Sequence, residues 1–217
     1  MGKERSKPCV VVVSGSVGSG KTALVEKLAE MLENASVLSF DHYEQYVEWP
    51  QDVERWIQEG TDPNQIRIPR LKEDLLSLLA GASIIHPLDN RVVDSSAYIL
   101  IEEPSGRERQ EIAEYVDLVV HVDVPQDVCV VRVAQRAMGM AGTDFERTVE
   151  GESREDLVER LKAGAFWLAH YMRMRPVYIG VSDIVKQKAD IVVDGMEPVD
   201  EIAQKVLGAI ENLQRQL

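Results

Sequence analysis

Runs of consecutive apolar residues alternate along the chain with segments whose apolar positions recur every three or four residues. This is the pattern of buried strands separated by amphipathic helices. Cys9 to Ser14 is a continuous, largely β-branched run, as expected of a strand buried on both faces of a parallel sheet. After a glycine-rich turn, Ala23, Leu24, Leu28, Met31 and Leu32 recur at helical spacing until Asn34, and Ser36 to Phe40 is extended again. Strand, turn, helix and strand therefore follow one another before Asp41.

The stretch from Asp41 to Leu79 is helical in pattern but broken by Pro50, by Gly60-Thr61-Asp62-Pro63-Asn64 and by Pro69, which predicts two or three short helices. This substrate-side segment, about residues 42–80, is suited to walling a pocket. Ser83 to Ile85 and Arg91 to Val93 flank Pro87 and Asn90 and predict a small hairpin before Tyr98 to Ile101 returns to the sheet. Leu118 to Val122 and Ile191 to Val193 are two further strands. Helices are expected over Gln126 to Met138, Arg154 to Met174 and Val199 to Leu213. Between the first two of these, Gly139, Gly142 and Gly151 punctuate a charged stretch, about 139–153, that reads as a mobile lid. The alternation predicts an α/β fold with an open, mostly parallel sheet of about five strands and helices on both faces. At 217 residues, 1–217 forms a single domain.

Composition narrows the setting. With 45% hydrophobic and 28% charged residues, and no apolar run long enough for a membrane span, the chain reads as an ordinary globular protein. The formal charge of −13, from 24 Lys and Arg against 37 Asp and Glu, disfavours nucleic acid as a partner. Cys9 and Cys129 make no disulfide framework and read as reduced, buried thiols. The polar start, Met1 to Pro8, lacks the apolar centre of a signal peptide, and a cytoplasmic location is expected.

One motif carries specific chemistry. Gly15-Ser16-Val17-Gly18-Ser19-Gly20-Lys21-Thr22 has the spacing Gly, four residues, Gly-Lys-Thr, and lies between a buried strand and an amphipathic helix. Glycines let backbone N–H groups turn inward around phosphate oxygens, and a helix N-terminus adds its positive dipole end. Lys21 is placed to bridge the outer phosphates of ATP, and the Thr22 hydroxyl to ligate Mg2+. Neither an Asn-Lys-x-Asp guanine signature nor a Leu-Ser-Gly-Gly transporter signature is present.

Two strand ends supply acids. Asp41 follows Leu38-Ser39-Phe40 at the carboxyl edge of strand two, where open α/β sheets bind ligands, and is a candidate proton acceptor. The alternative is that it caps the helix that follows. Tyr98-Ile99-Leu100-Ile101-Glu102-Glu103 ends in acid as a magnesium-holding strand does, with Glu102 preferred over Glu103. Tyr43, Tyr46, Trp49 and Trp56 either stack on a ring or serve the core. Arg91 and Arg107 are candidates for binding an anionic acceptor. The four histidines have no metal-ligand spacing, which argues against zinc.

Taken with the phosphate loop, Ser39-Phe40-Asp41-His42-Tyr43, Ile101-Glu102-Glu103-Pro104 and His121-Val122-Asp123-Val124-Pro125 leading to Arg132 and Arg136 give the chain a family likeness. It resembles the uridine kinase-like P-loop kinases of small molecules, a group that includes phosphoribulokinase, pantothenate kinase and nicotinamide riboside kinase. The likeness extends loosely to Tyr171–Tyr178 and Ala189–Gly195. It implies the nucleoside and nucleotide kinase-like P-loop NTPase fold with a helical lid, with Asp41 as general base and Arg132 and Arg136 closing over the phosphates. Three family features differ. Val47 to Asp52 stands where an Asn-Phe-Asp-His-Pro segment is usual, His86-Pro87-Leu88-Asp89-Asn90 replaces a Pro-x-Tyr-Asp-Phe turn, and Glu103 occupies a glycine position. The acceptor is thereby left unnamed.

The expected activity is transfer of the ATP γ-phosphate to a hydroxyl of a small metabolite, a nucleoside or related sugar-containing compound. Lys21, Asp41, Arg132 and Arg136 are the expected catalytic residues. Asp41, Tyr43, Arg91 and Arg107 are the expected acceptor-binding residues, and Thr22 and Glu102 the expected metal ligands. The alternative is a regulatory nucleotide-binding ATPase acting on a protein partner. The expected partner is a small-molecule acceptor, with neither nucleic acid nor membrane, and a homodimer stays open.

Overall fold

The computed structural model describes residues 7–140 and 151–216. Five parallel strands form one sheet in the order β2-β5-β1-β6-β7, with β1 Cys9–Ser14, β2 Ala35–Ser39, β5 Tyr98–Glu102, β6 Leu118–Asp123 and β7 Ile191–Asp194. β3 (Ile84–Ile85) and β4 (Val92–Val93) make the separate antiparallel hairpin that the sequence predicts. The helices are α1 Lys21–Met31, α2 Val53–Gln58, α3 Pro69–Leu79, α4 Gln110–Ala113, α5 Gln126–Ala137, α6 Arg154–Lys188 and α7 Val199–Gln216. The fold is thus the expected open parallel sheet with helices on both faces.

Strand periodicity divides the core into two layers. Val10, Val12, Ile99 and Ile101 pack on one face with side chains of α3, α4 and α6. Val11, Val13, Leu100, Val120 and Val122 pack on the other with α1, α5 and α7. Each central strand buries both sets, which is why its sequence is a continuous apolar run rather than an alternation. β1 and β5 are neighbours whose chains leave toward opposite faces, so a crevice opens beyond their carboxyl ends, where such sheets bind ligands. Both cysteines are buried and free. Among the described residues no helix is long and apolar enough to cross a membrane.

Two elements differ from expectation. The segment after β2 contains two short 3-10 helices, Phe40–Tyr46 and Pro63–Gln65, as well as α2 and α3. α6 runs past Met174 through Pro176 to Lys188. Proline at that position deprives the Met172 carbonyl of its usual donor. Met172 is 71% exposed, so water can take the donor's place and the helix continues. The heart of the segment expected as a lid, residues 141–150, lies outside the described residues. On its flanks, Arg160 of α6 hydrogen-bonds the Met138 carbonyl and pairs with Glu152.

α6 is joined to the sheet by a polar contact. His121, fully buried on β6, meets Ser14 Oγ at 3.2 Å and Ser182 Oγ of α6 at 3.3 Å. Burial holds its imidazolium form off, lowering its pKa to about 4. As pH falls below the ordinary histidine range, the unfolded chain takes the proton first. This histidine therefore removes stability between about pH 6.5 and about 4, by up to about 3 kcal/mol. Thermal midpoints of His121→Asn followed across that interval should fall less steeply than those of the parent protein, and equal slopes would show that His121 titrates normally.

Candidate active site

The phosphate loop bridges β1 and α1. Gly15, Gly18 and Gly20 have φ of 145°, 83° and 100°, values that side-chain-bearing residues rarely adopt. At two of them there is also no room: a Cβ on Gly15 would lie 2.7 Å from the Val122 carbonyl, and one on Gly18 2.5 Å from the Cys129 carbonyl. α1 starts after Gly20 with no capping side chain, leaving its first-turn N–H groups directed at the loop. Ser19 Oγ is buried without a hydrogen-bond partner. Unsatisfied donors inside a glycine cradle fit a phosphate, whose oxygens accept them all.

Lys21 extends back over the loop and donates to the Ser16 carbonyl at 3.1 Å. Burial pushes its pKa down, and Glu102 and Asp41 oppose that shift. An ammonium held here with one neutral partner has spare donors for an anion. Beside it, Thr22 Oγ1 donates to Glu102 Oε1 at 2.8 Å and Ser39 Oγ to Glu102 Oε2 at 3.0 Å. These hard oxygen donors at the end of β5 suit a magnesium ion. Glu103 faces elsewhere. It is buried, accepts from Arg109 Nε at 2.6 Å and from the Ser105 N–H at 2.7 Å, and so is a structural partner of Arg109.

Two cavities open on either side of this centre. One, of about 550 Å³, runs from the phosphate loop past Arg132, Gln135 and Arg136 of α5 to Gly195, Val199 and Ile202. The other, of about 450 Å³, lies between the 3-10 helix after β2 and α6. Val17, Lys21, Asp41 and Glu102 line both. The N-cap position of that 3-10 helix is held by Ser39, and Asp41 lies in its first turn rather than at its cap. Arg132 reaches the carbonyls of Ser19 at 3.4 Å and Gly195 at 3.3 Å, tying α5 to the loop and to the end of β7.

Three of the residues expected to bind the acceptor sit elsewhere. Tyr43 is 1% exposed in the core, its hydroxyl donating to Asp74 at 3.0 Å, because the 3-10 helix turns that face inward. Arg107 pairs with Asp190 at 2.7 Å and donates to the carbonyls of Val116 and Asp117, near the strand starts and away from both cavities. Arg91 lies on the exposed hairpin beside Asp89 and lines neither cavity. The arginine that does line the second cavity is Arg109, which sequence reading passed over. Its only hint was a second acid at the end of β5, which needs a cation once buried.

Arg109 and Glu103 are both essentially inaccessible, at 1% and 0% exposure. Arg109→Met leaves Glu103 charged and unpaired, at a cost of roughly 3–5 kcal/mol, and Arg109→Met with Glu103→Leu should recover much of the loss. Denaturant unfolding of the parent, single and double variants measures this. A single variant as stable as the parent would mean the pair is not closed to water.

The sheet order and the glycine-rich loop between β1 and α1 are those of a P-loop fold. Within that class, the chain is similar over nearly its whole length to uridine kinases. It is 22% identical to the uridine kinase of Halalkalibacterium halodurans over 227 aligned positions, covering 97% of this chain and 98% of the relative. The uridine kinase of Ligilactobacillus salivarius is 24% identical over 89% of this chain and 88% of its own. The Zeta toxin family model matches residues 2–55, a stretch that includes β1, the phosphate loop, α1 and β2. Among solved structures, one titled a possible uridine kinase from Bacillus stearothermophilus overlaps with a TM-score of 0.49, 19% identity and coverage of 88% and 91%. A shikimate kinase from Acinetobacter baumannii in complex with shikimate overlaps at 0.43 and 15%, covering 96% and 95%.

Proposed function

We propose that the chain is a kinase that transfers the γ-phosphate of ATP to a hydroxyl of a small molecule, with a nucleoside or related sugar-containing compound as acceptor. The observation that carries this reading is the meeting of two cavities at Lys21, Asp41 and Glu102. A nucleotide needs only the first cavity. The second, whose lining includes Phe40, Trp49, Trp56, Phe166, Trp167 and Tyr178, leaves room for an acceptor beside the first. The similarity to uridine kinases supports the same reading.

In this account the loop N–H groups and Lys21 hold the phosphates and offset charge on the transferring group. Thr22 and Glu102 would hold Mg2+, which when bound would offset further phosphate charge. Asp41 orients the acceptor hydroxyl and takes its proton as the new phosphate ester forms. Arg132 and Arg136 close the nucleotide side, where guanidinium forks pair with phosphate oxygens. Excluding water from the second cavity directs the phosphate to the acceptor rather than to hydrolysis. Incubation with Mg-ATP and a panel of nucleosides, vitamins and sugars, read by mass spectrometry, tests this. A phosphorylated member of the panel is expected. ADP release that no acceptor stimulates, but that a protein partner does, would favour a regulatory ATPase instead.

A further inference from the structure

The longest helix carries an apolar stripe that the fold leaves open. Val158, Leu161, Ala165, Leu168 and Met172 of α6 follow one another at alternating steps of three and four residues, the heptad spacing by which one helix pairs with another. All of them are exposed, Leu161 at 64% and Met172 at 71%. At 3.6 residues per turn they centre on the side of α6 opposite Phe166, His170 and Met174, which line the second cavity. Gly164 faces a third direction, where a Cβ would lie 2.6 Å from Met138 at the end of α5. α6 is thus packed on two sides and open along the stripe. A continuous apolar row in water is unfavourable unless something covers it.

The symmetry of the stripe says what fits it. Ala165 stands at its middle, with Leu161 and Leu168 on either side and Val158 and Met172 each seven residues away. Reversing the helix about Ala165 lays the stripe on itself, Val158 against Met172 and Leu161 against Leu168, with the smallest side chain where the two helices meet. The charges agree with reversal. Glu155 and Glu159 flank the stripe near its start, and Arg173 flanks it on the same side near its end. Two copies running in one direction would set acid on acid and arginine on arginine, whereas antiparallel copies bring Glu155 and Glu159 of one beside Arg173 of the other. Within the chain Glu159 pairs with Lys162 and Arg173 with Glu54, both on the surface, where such pairs hold their partners weakly. Arg154 and Arg175 end the stripe, where long stems let their charges reach water.

We propose that this stripe is the interface of a homodimer in which the α6 helices of two copies pair antiparallel about Ala165. A self-complementary row selects a second copy, since an unrelated partner would have to match both its spacing and its reversed charge order. The formal charge of −13 opposes association at long range, but at about 0.15 M salt such repulsion is screened beyond about 8 Å. Pairing here leaves the second cavity free on the opposite side of α6 and does not depend on the activity assigned to it.

Sedimentation equilibrium of the full chain at that salt is expected to show a dimer with a micromolar dissociation constant, as suits a single helix pair at the small end of specific interfaces. Leu161→Glu combined with Leu168→Glu is expected to raise that constant at least about 100-fold, because each carboxylate would be buried without a partner. Both side chains are exposed in the single copy, so circular dichroism should show the fold retained. Cysteine cross-linking tests the geometry without disturbing the stripe's charge. Under mild oxidation Ala165→Cys is expected to link to its own copy. Val158→Cys is expected to link to Met172→Cys in a mixture but not to itself, since antiparallel pairing holds the two Val158 positions roughly 20 Å apart. A monomer at about 100 μM, a dimer that the double glutamate variant leaves intact, or self-linking of Val158→Cys would each overturn the proposal. In a monomer, slow reaction of Ala165→Cys with a maleimide would mean that the chain itself covers the stripe, and fast reaction that a different protein does. Either contradicts the homodimer.

Discussion

Asp41→Asn is expected to lower the rate of phosphoryl transfer by roughly 10²- to 10⁴-fold, the usual worth of a general base, with ATP affinity held within a few-fold. Asparagine keeps the size and most of the hydrogen bonding of aspartate but cannot take a proton. Asp41 lines both cavities, so its carboxylate is available to the γ-phosphate side and to an acceptor at once. If it served mainly as a magnesium ligand, nucleotide affinity would fall along with rate, and excess metal would restore part of the loss. The Glu102 carboxylate, already met by Thr22 and Ser39, is better placed for the metal. Rate, metal dependence and thermal midpoint measured on this one variant separate the roles. An asparagine variant that transfers phosphate at the parent rate would remove Asp41 from the chemistry.

Lys21→Ala is expected to cost on the order of 10³-fold or more in turnover, because it removes the charge that bridges the outer phosphates. Its effect on the free protein should have the opposite sign or be negligible. Burial already pushes the Lys21 ammonium down in pKa, so the unliganded fold gains little from carrying it. Its protein partner is one backbone carbonyl. The alanine variant should therefore melt at or slightly above the parent midpoint without nucleotide and should lose most of the upward shift that Mg-ATP gives the parent. An undiminished ATP-induced shift together with parental turnover would mean that the loop does not hold the nucleotide.

The parts of the fold legible in the sequence are those whose cause is local. Val10 to Val13 reads as a doubly buried strand because nothing else in a globular chain needs such a run, and the loop from Gly15 to Thr22 is legible because each glycine answers a backbone requirement. Helix length was less legible. Pro176 looks like a stop, and only the exposure of Met172 shows how the helix tolerates it. The acceptor side was least legible, because facing is decided by tertiary packing. Tyr43 and Asp41 are two residues apart, yet one is turned into the core and the other into the cavities. Arg107 and Arg109 are likewise two apart. Both lie on or just after the 3-10 turn Gly106–Glu108, yet Arg107 meets Asp190 and Arg109 meets Glu103. Charge and spacing alone do not tell such neighbours apart. Phe166 and Trp167 reach the same cavity from α6, more than a hundred residues from Asp41, a proximity that only the fold creates.

The most direct test of the account follows the γ-phosphate itself. Purified protein is mixed with radiolabelled Mg-ATP, with and without the acceptor that the panel selects, and label is partitioned between inorganic phosphate and acceptor. The account predicts that label moves to an acceptor hydroxyl far faster than to water, and that both Asp41→Asn and Lys21→Ala suppress this transfer. Label released only as inorganic phosphate, at a rate that no small molecule changes, would contradict it.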